Sequence, residues 1–287
     1  MEVGKTFHIL IFMKLSLLIW FDNLNYLTPW IKKAKDIGYD AVELFPQYLS
    51  LREVSIVKKL LDEHKLEHIS CVILPEEVDV ASSNDRTRRN GVIFLEHCID
   101  ITVKLGGELV TGVIYAPWGK VESKSPKEDW YRSTASLKQV CKYASQFGVK
   151  LAIEPINHYR TYLVNTCEDA VKFLKDVGES NLGVHLDTYH MNIEENNFYE
   201  PVIAAGKRLY HVHCSESNRG MLGTGHVNWS EFFQALNEVD YQGYLGFEYH
   251  TPSIMRVSWK RVAPCMEEVA VRSLHFMKEM CSRYMRK

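Results

Sequence analysis

Eight short apolar runs, each followed by a helical pattern, constrain the fold of this chain more than any other feature. Several of these runs are continuously apolar, which is typical of parallel strands buried on both faces. Strands that alternate with helices indicate right-handed βαβ crossovers, and eight such units without an obvious ninth predict an α/β fold of the closed (β/α)8 TIM-barrel class. The predicted strands are Lys14–Ile19, Ala41–Phe45, His68–Ile73, Glu108–Gly112, Lys150–Glu154, Gly183–Asp187, Leu209–His213 and Tyr244–Glu248.

The helical stretches between these strands often end at glycine. Gly38, the Gly106-Gly107 pair and Gly148 stand where a left-handed residue would end a helix. The least regular stretch, Pro117–Asp129, is predicted to form the loop after the fourth strand. The predicted helices are Tyr26–Ile37, Arg52–His64, Asp85–Leu105, Trp130–Phe147, Glu168–Asp176, Pro201–Ala205, Trp229–Glu238 and Val257–Tyr284.

No composition shift or linker divides the chain, so residues 13–287 are predicted to form a single catalytic barrel domain. Residues 1–12 are predicted to be an N-terminal extension, because Met13 could itself initiate the chain. The apolar run His8–Trp20 covers 13 residues, fewer than the roughly 18 that a membrane span requires. No small-residue cleavage site follows it, so neither a membrane partner nor a signal peptide is expected.

The charge balance and the cysteines exclude other classes of protein. With 34 basic and 36 acidic residues, the chain carries a formal net charge of −2, which offers no electrostatic footprint for nucleic acid. The seven cysteines are scattered and form no CxxC pair, so neither a disulfide framework nor a zinc–thiolate site is expected. Such cysteines are typical of buried small apolar residues in a reducing compartment, which predicts a cytoplasmic protein.

Four residues that can bind metal end four successive predicted strands. Glu154, Asp187, His213 and Glu248 are separated by 33, 26 and 35 residues, about one βα unit each. In a barrel all four converge on the C-terminal face, where active sites lie. Each one alone is more often a helix cap, a loop charge or a core histidine. Together, however, three buried carboxylates are very costly without a cation. The set therefore predicts one divalent ion, with Mn²⁺ favoured and Mg²⁺ or Co²⁺ as alternatives.

Several segments carry a resemblance to a known family: GYDAVELFP, NDRTRRNGVIFLEHCIDITVKLGGELVTG, EPINHYRTYLVNT, HLDTYHMNIEE and HVHCSESNRG…GTGHVNW. From about Met13 to the C-terminal helix, the chain resembles the sugar phosphate isomerase/epimerase superfamily of xylose-isomerase-like TIM barrels. Within it, the chain is most similar to ketose 3-epimerases of the D-tagatose/D-allulose (psicose) type. HLDTYHMNIEE followed by HxHxxExNR is the most specific part of the likeness.

The resemblance implies metal-dependent epimerisation of a small sugar, a ketose, at C3 through an enediolate. Glu154 and Glu248 would exchange the C3 proton and also bind the metal with Asp187 and His213. His190 and Arg219 would hydrogen-bond the substrate near C2. Relatives of this type are often homodimers or homotetramers.

Four other residues near the strand ends are candidates for lining or supporting the site. Trp118 would form an apolar wall under the sugar, or pack against neighbouring loops. Glu43 would cap a helix or support the site from behind as readily as contact substrate. His185 and His211 share a side of their strands with Asp187 and His213, which predicts deeper barrel positions behind the metal ligands.

Arg160 is where the chain departs from the family pattern. Ketose epimerases often read NRxExxxxNT where this chain has Asn157-His158-Tyr159-Arg160, so Arg160 replaces a glutamate expected to contact the terminal hydroxyl of the sugar. An arginine there favours a phosphate or carboxylate on the substrate. Alternatively, its side chain points to solvent.

Two other functions stay open from the sequence, and a third is not supported by it. Similar barrels dehydrate or isomerise keto-inositols (inososes) with the same metal set. A barrel could also retain the fold and bind a sugar without catalysing a reaction. Cleavage of DNA at abasic sites, found in related barrels, would need extra histidines and a basic face, and the sequence shows neither.

Overall fold

The computed structural model describes residues 13–249 and 265–285. Within them eight parallel strands pair in sequence order, and the last pairs with the first to close a barrel. The strands are β1 (Lys14–Leu18), β2 (Ala41–Leu44), β3 (Glu67–Ile73), β4 (Leu109–Val113), β5 (Lys150–Ile153), β6 (Leu182–Asp187), β7 (Leu209–Cys214) and β8 (Tyr244–Phe247). The predicted (β/α)8 barrel is confirmed, and each predicted strand bound lies within one residue of the observed bound.

Helices follow the strands and cover the outside of the barrel. In the first of them the buried residues Leu27, Trp30, Ile31 and Ala34 recur every three or four positions and so form one apolar stripe. This stripe belongs to a continuous core shared with the strands. The helices are α1 (Leu24–Ile37), α2 (Leu51–His64), α3 (Asp85–Leu105), α4 (Pro126–Ser145), α5 (Cys167–Val177), α6 (Thr188–Glu194), α7 (Glu200–Ala205), α8 (Trp229–Glu238) and α9 (Met266–Tyr284), with 3-10 turns at Pro46–Tyr48 and Gly206–Arg208.

Of the three helix ends predicted at glycines, two are correct and one is wrong. Gly38 and Gly106 end α1 and α3 with φ of 108° and 81°, as a left-handed cap requires. Helix α4 spans Pro126–Ser145 rather than Trp130–Phe147. Gly148 therefore lies in the turn beyond the helix, where its φ is 72°. Proline fits the first turn of a helix, where its missing N–H is not needed, so α4 begins inside the stretch predicted as a loop.

Two parts of the sequence-based prediction lie outside the described residues. These are the extension 1–12 and the first part, 257–264, of the predicted last helix. None of the described helices combines the length and apolar character needed to cross a bilayer.

The interior of the barrel contains polar side chains near the C-terminal ends of its strands. Glu43 on β2 and His211 on β7 are both fully buried and contact each other. Strands β2 and β7 are not neighbours, so this contact crosses the interior of the barrel. Polar side chains therefore continue from the strand ends down into the barrel.

Candidate metal centre and its surroundings

The four predicted metal ligands lie together at the C-terminal ends of the strands. Asp187 is the last residue of β6 and His213 lies in β7, while Glu154 and Glu248 directly follow β5 and β8. Their exposed fractions are between 1% and 6%. One ligand atom from each lies within 4.8 Å of those from the other three. A single ion could therefore contact all four.

The electrostatics of this cluster suit a cation. Burial raises the pKa of Glu154 well above its usual range; the carboxylates of Asp187 and Glu248 raise it further, and His213 partly opposes them. Burial also raises the pKa of Asp187 to about 6, although Arg219 opposes the shift. Asp187 Oδ2 makes no hydrogen bond among the described residues and pairs with the charge of Arg219, whose Nη1 lies 2.8 Å away. Three oxygen ligands and one imidazole nitrogen are a donor set that hard divalent ions accept.

Glu43 orients the histidine ligand from behind. His213 Nε2 lies 2.8 Å from Glu43 Oε2, and His213 Nδ1 lies 3.0 Å from Glu248 Oε2. Because Nε2–H donates to Glu43, Nδ1 is the nitrogen available to a metal beside Glu248. Glu43 also accepts hydrogen bonds from His211 Nε2 at 3.0 Å and from Ser16 Oγ at 2.6 Å. Glu43 thus supports the candidate centre from inside the barrel.

A glycine makes room for this arrangement. A Cβ added to Gly246 on β8 would lie 2.1 Å from Glu43 Oε1 and 2.9 Å from His213 Cδ2. Real Cβ atoms do not approach other atoms so closely, so a larger residue at 246 would displace Glu43 or His213. The carboxylate and the imidazole therefore occupy the space that a side chain on β8 would fill.

His190 and Arg219 are buried beside the four ligands. The Asn157 N–H donates to His190 Nδ1 at 3.0 Å, which places the proton of a neutral imidazole on Nε2. Arg219 Nη1 donates to Glu248 Oε2 at 2.7 Å, and Arg219 Nη2 lies 3.2 Å from His190 Nε2. The guanidinium also lies over the Tyr189 ring, 4.2 Å from its centroid. Both side chains predicted to hydrogen-bond the substrate therefore face the cluster rather than solvent.

A pocket that opens onto the cluster is lined by both apolar and polar side chains. They come from strands and from the segments that follow the strands: Leu18, Trp20, Cys71, Ile73, Trp118, Glu154, His190, His213, Arg219 and Glu248. Trp118 thus lies at the wall of the pocket, and Trp20 packs against Phe45 with ring centroids 4.3 Å apart.

Arg160 does not line this pocket itself. Its guanidinium carbon lies 5.4 Å from the centroid of the Trp118 ring, and the carbonyl of Arg160 accepts a hydrogen bond from Gly119 N at 2.9 Å. The two loops after β4 and β5 are joined by this contact. Arg160 therefore lies at the rim, next to the tryptophan that lines the pocket.

Sequence reasoning missed two residues that shape the site. Asn157 fixes the ring of His190 as described above, and Ser215 Oγ accepts a hydrogen bond from Arg219 Nη1 at 2.5 Å. Their only signal in the sequence is their position next to residues already singled out. Hydrogen bonds of this kind depend on the three-dimensional arrangement of loops that are distant in sequence.

Comparison with known proteins agrees with this geometry. Residues 31–280 match the sequence profile of the xylose isomerase-like TIM barrel family. The chain belongs to this family. The match covers β2 through most of α9, and so includes every residue of the candidate centre.

Among relatives of this xylose isomerase-like barrel are several epimerases. The L-ribulose 3-epimerase of Methylomonas sp. (strain DH-1) is 35% identical over 256 residues, which cover 87% of this chain and 90% of the relative. The ketose 3-epimerase of Arthrobacter globiformis is 34% identical over 233 residues, or 81% of this chain and 80% of the relative. A solved D-allulose 3-epimerase from Methylomonas sp. in complex with D-allulose superposes with a TM-score of 0.88. It is 32% identical, and the match covers 93% of this chain and 97% of that one.

Proposed function

We propose that this xylose isomerase-like barrel is a divalent-metal-dependent epimerase that inverts ketoses at C3. The observation that carries the proposal is the convergence of Glu154, Asp187, His213 and Glu248 within 4.8 Å, beside a pocket that three of them line. The relatives described above, named as 3-epimerases of ketoses, support the choice of reaction.

The four residues fit a resident divalent ion, which would supply Lewis acidity beside the glutamates. Held by the four ligands, such an ion would act as a Lewis acid that polarises the ketose carbonyl and acidifies the neighbouring C–H. Glu154, His213 and Glu248 line the pocket, so a sugar bound there would lie beside both glutamates. Among the candidate ions we favour Mn²⁺, because its preference for oxygen with one imidazole matches this set.

Glu154 and Glu248 are suited to move the proton at C3. Inversion at carbon requires a base on one face of a planar intermediate and an acid on the other. The two glutamates follow β5 and β8, with β6 and β7 between them, and so approach the pocket from different sides. One takes the C3 proton, and the other delivers a proton to the opposite face.

His190 and Arg219 provide the hydrogen-bond donors for the sugar oxygens. His190 presents Nε2–H because Asn157 occupies its Nδ1. Arg219 carries a fixed positive charge and also holds the Glu248 carboxylate through the 2.7 Å contact. Donors aimed at developing negative charge stabilise an enediolate more than the starting ketose. Trp118 supplies part of the wall against which the sugar would lie.

We place this activity in the cytoplasm. Six of the seven cysteines are buried free thiols and the seventh, Cys265, is an exposed free thiol. A set of unpaired thiols is typical of proteins kept in a reducing compartment.

The test is product analysis on a panel of ketoses and an inosose. Protein stripped with a chelator and then reloaded with Mn²⁺ is incubated with L-ribulose, D-allulose, D-tagatose and an inosose. We expect C3 epimers of at least one ketose with Mn²⁺ and none after stripping. Turnover of the inosose alone would identify a keto-inositol enzyme instead. Saturable sugar binding without any product would identify a non-catalytic barrel.

A further inference from the structure

The loop between β7 and α8 is built around a buried carboxylate. Glu216 is fully buried, and its two oxygens accept hydrogen bonds from four N–H groups of the same loop and the start of α8. Oε1 accepts from Ser217 N at 2.9 Å and from Val227 N at 3.3 Å. Oε2 accepts from Gly223 N at 2.9 Å and from Trp229 Nε1 at 3.1 Å. A buried charge held by several N–H donors is well compensated without a cation.

These donors span the whole loop, so one carboxylate fixes its course. The backbone at Gly225 passes so close to it that an added Cβ would lie 2.4 Å from Glu216 Oε1 and 2.3 Å from Ser217 Oγ. Gly223, whose N–H is one of the four donors, has a left-handed φ of 78°. The path of the loop from 217 to 229 therefore follows the position of the Glu216 carboxylate.

Arg219 lies inside this loop in a strained conformation. Its φ is 56°, in the left-handed region that is unfavourable for a residue with a Cβ. Its N–H donates to the Glu216 carbonyl at 2.8 Å. Such strain persists only where the surroundings impose it. From this backbone position the side chain reaches Glu248 and Asp187, at 2.7 and 2.8 Å from Nη1.

We propose that Glu216 is a positioning residue. Its carboxylate holds the 216–229 loop in the conformation that delivers the Arg219 guanidinium to the pocket. Within the part of the chain that the structure describes, Glu216 does not line the pocket, and its carboxylate bonds to N–H groups of the loop and of Trp229. The inference rests on the proposed function, since it gives Arg219 a part in binding the ketose.

The test is a double-mutant cycle on Mn²⁺-loaded protein with the best ketose of the panel. Glu216→Gln is isosteric but replaces one acceptor oxygen with an NH₂ group, which faces N–H donors. We expect kcat/KM to fall about 10- to 100-fold, because misplacing a substrate-contacting group by about 1 Å costs up to that much. In an Arg219→Ala background the same substitution should cost less than about two-fold, since its target is gone. A merely structural role would lower the active fraction by the same factor in both backgrounds.

A matched control and a second readout complete the design. Glu231→Gln makes the same chemical change at the start of α8, where Glu231 is only half-buried and bonded to Asn228; kcat/KM should stay within about two-fold of wild type. Hydrogen–deuterium exchange of peptides covering 216–229 should accelerate in Glu216→Gln but not in Glu231→Gln. This exchange readout does not depend on activity.

Gly225→Ala probes the same carboxylate from outside. It keeps the charge but places a methyl group 2.4 Å from Oε1, so it should reproduce the loss of kcat/KM, even if Glu216→Gln fails to fold. Unchanged kcat/KM in Gly225→Ala, equal losses in the two backgrounds of the cycle, or unchanged loop exchange would each overturn the inference. A wild type inactive on every ketose would sink the proposed function, and loop exchange alone would then decide whether Glu216 holds the loop.

Discussion

The imidazole of His213 lies between two carboxylates that we expect to act differently. Glu248 lines the pocket and is a candidate metal ligand and proton carrier. Glu43 is fully buried inside the barrel and accepts a hydrogen bond from the other ring nitrogen, Nε2. The orientation of the His213 ring, and so the position of its Nδ1, depends on Glu43. Substitutions at these glutamates should therefore have separable effects on metal affinity and on turnover.

Replacing Glu43 with glutamine should weaken metal binding. Removing a group that orients a metal-binding histidine typically costs about 10- to 100-fold in affinity, and we expect a loss in this range for Mn²⁺. Calorimetric titration of chelator-stripped protein measures it. Glu67→Gln is the matched control and should leave the affinity unchanged. Glu67 is exposed at the start of β3 and forms a salt bridge with Lys14. Equal Kd values for Glu43→Gln and wild type would contradict the orienting role.

Glu248→Gln should separate binding from chemistry. The amide keeps an oxygen for the metal but cannot carry a proton, so turnover should fall by on the order of 10²–10⁴-fold. Metal content per chain, measured by plasma emission spectrometry alongside kcat, shows whether the ion is retained. Glu154→Gln should behave in the same way. Activity within a few-fold of wild type in either variant would remove that glutamate from the proton path.

Arg160→Glu should change which sugars are preferred. Arg160 stacks on Trp118 at the rim of the pocket, where its charge could contact an anionic terminal group of the substrate. Such a contact is worth roughly 1.5–3 kcal/mol, or about 10- to 100-fold in specificity. The measurement is kcat/KM for D-allulose, D-tagatose and ribulose against their phosphorylated forms. We expect the wild type to favour the phosphorylated sugars and Arg160→Glu to lose that preference.

Trp118→Phe keeps an aromatic wall and serves as the control. This variant should rank the sugars as the wild type does. If the wild type already prefers neutral sugars and Arg160→Glu preserves the order, Arg160 plays no part in recognition.

At the scale of elements, strands were the most predictable parts of the chain. Runs such as Leu109–Val113 and Tyr244–Phe247 are mostly apolar and bounded by helical patterns, so their limits follow from local composition. Helix α6 was not predicted, because it starts directly after β6 with Asp187 itself as its N-cap and no loop marks the boundary. Helix α4 was misplaced because the Ser-Pro pair at 125–126 resembles a turn as much as a helix start.

The candidate ligands could be predicted from the sequence, but the contacts around them could not. Position at the ends of parallel strands, together with the family resemblance, led to Glu154, Asp187, His213 and Glu248. The contacts that orient His213 and His190, from Glu43 and from Asn157, join segments more than 30 residues apart in sequence. Such contacts depend on side-chain directions inside the closed barrel, which no local pattern encodes.

Two glycines with left-handed φ allow a stability test of the barrel strands. Gly112 on β4 has a φ of 115°, and an added Cβ would lie 2.3 Å from the Val72 carbonyl oxygen on β3. Gly148 has a φ of 72° but no atom within 4 Å of an added Cβ. Gly148→Ala should cost about 1–2 kcal/mol of unfolding free energy, from backbone strain alone. Gly112→Ala should cost about 3 kcal/mol or more, because strain and a backbone clash add. Urea denaturation measures both, and equal losses would show that strand β4 relaxes around the methyl group.

At the scale of the whole molecule, the barrel joins distant parts of the sequence into one centre. One candidate ligand lies at the end of each of β5, β6, β7 and β8, while the loop after β4, helix α6 and the loop after β7 supply Trp118, His190 and Arg219. The two glutamates reach the pocket from β5 and β8. This arrangement predicts a two-base reaction, in which the proton delivered to C3 differs from the proton removed.

Solvent deuterium incorporation tests that claim most directly. Mn²⁺-loaded protein is incubated with L-ribulose or D-allulose in D₂O, and the sugars are followed by NMR during the first turnovers. If Glu154 and Glu248 act on opposite faces, the C3 epimer should carry deuterium at C3 from its first appearance, C1 should remain unlabelled, and chelation should stop the reaction. An epimer that retains its C3 protium, or label at C1 with an aldose as product, would contradict the two-glutamate account.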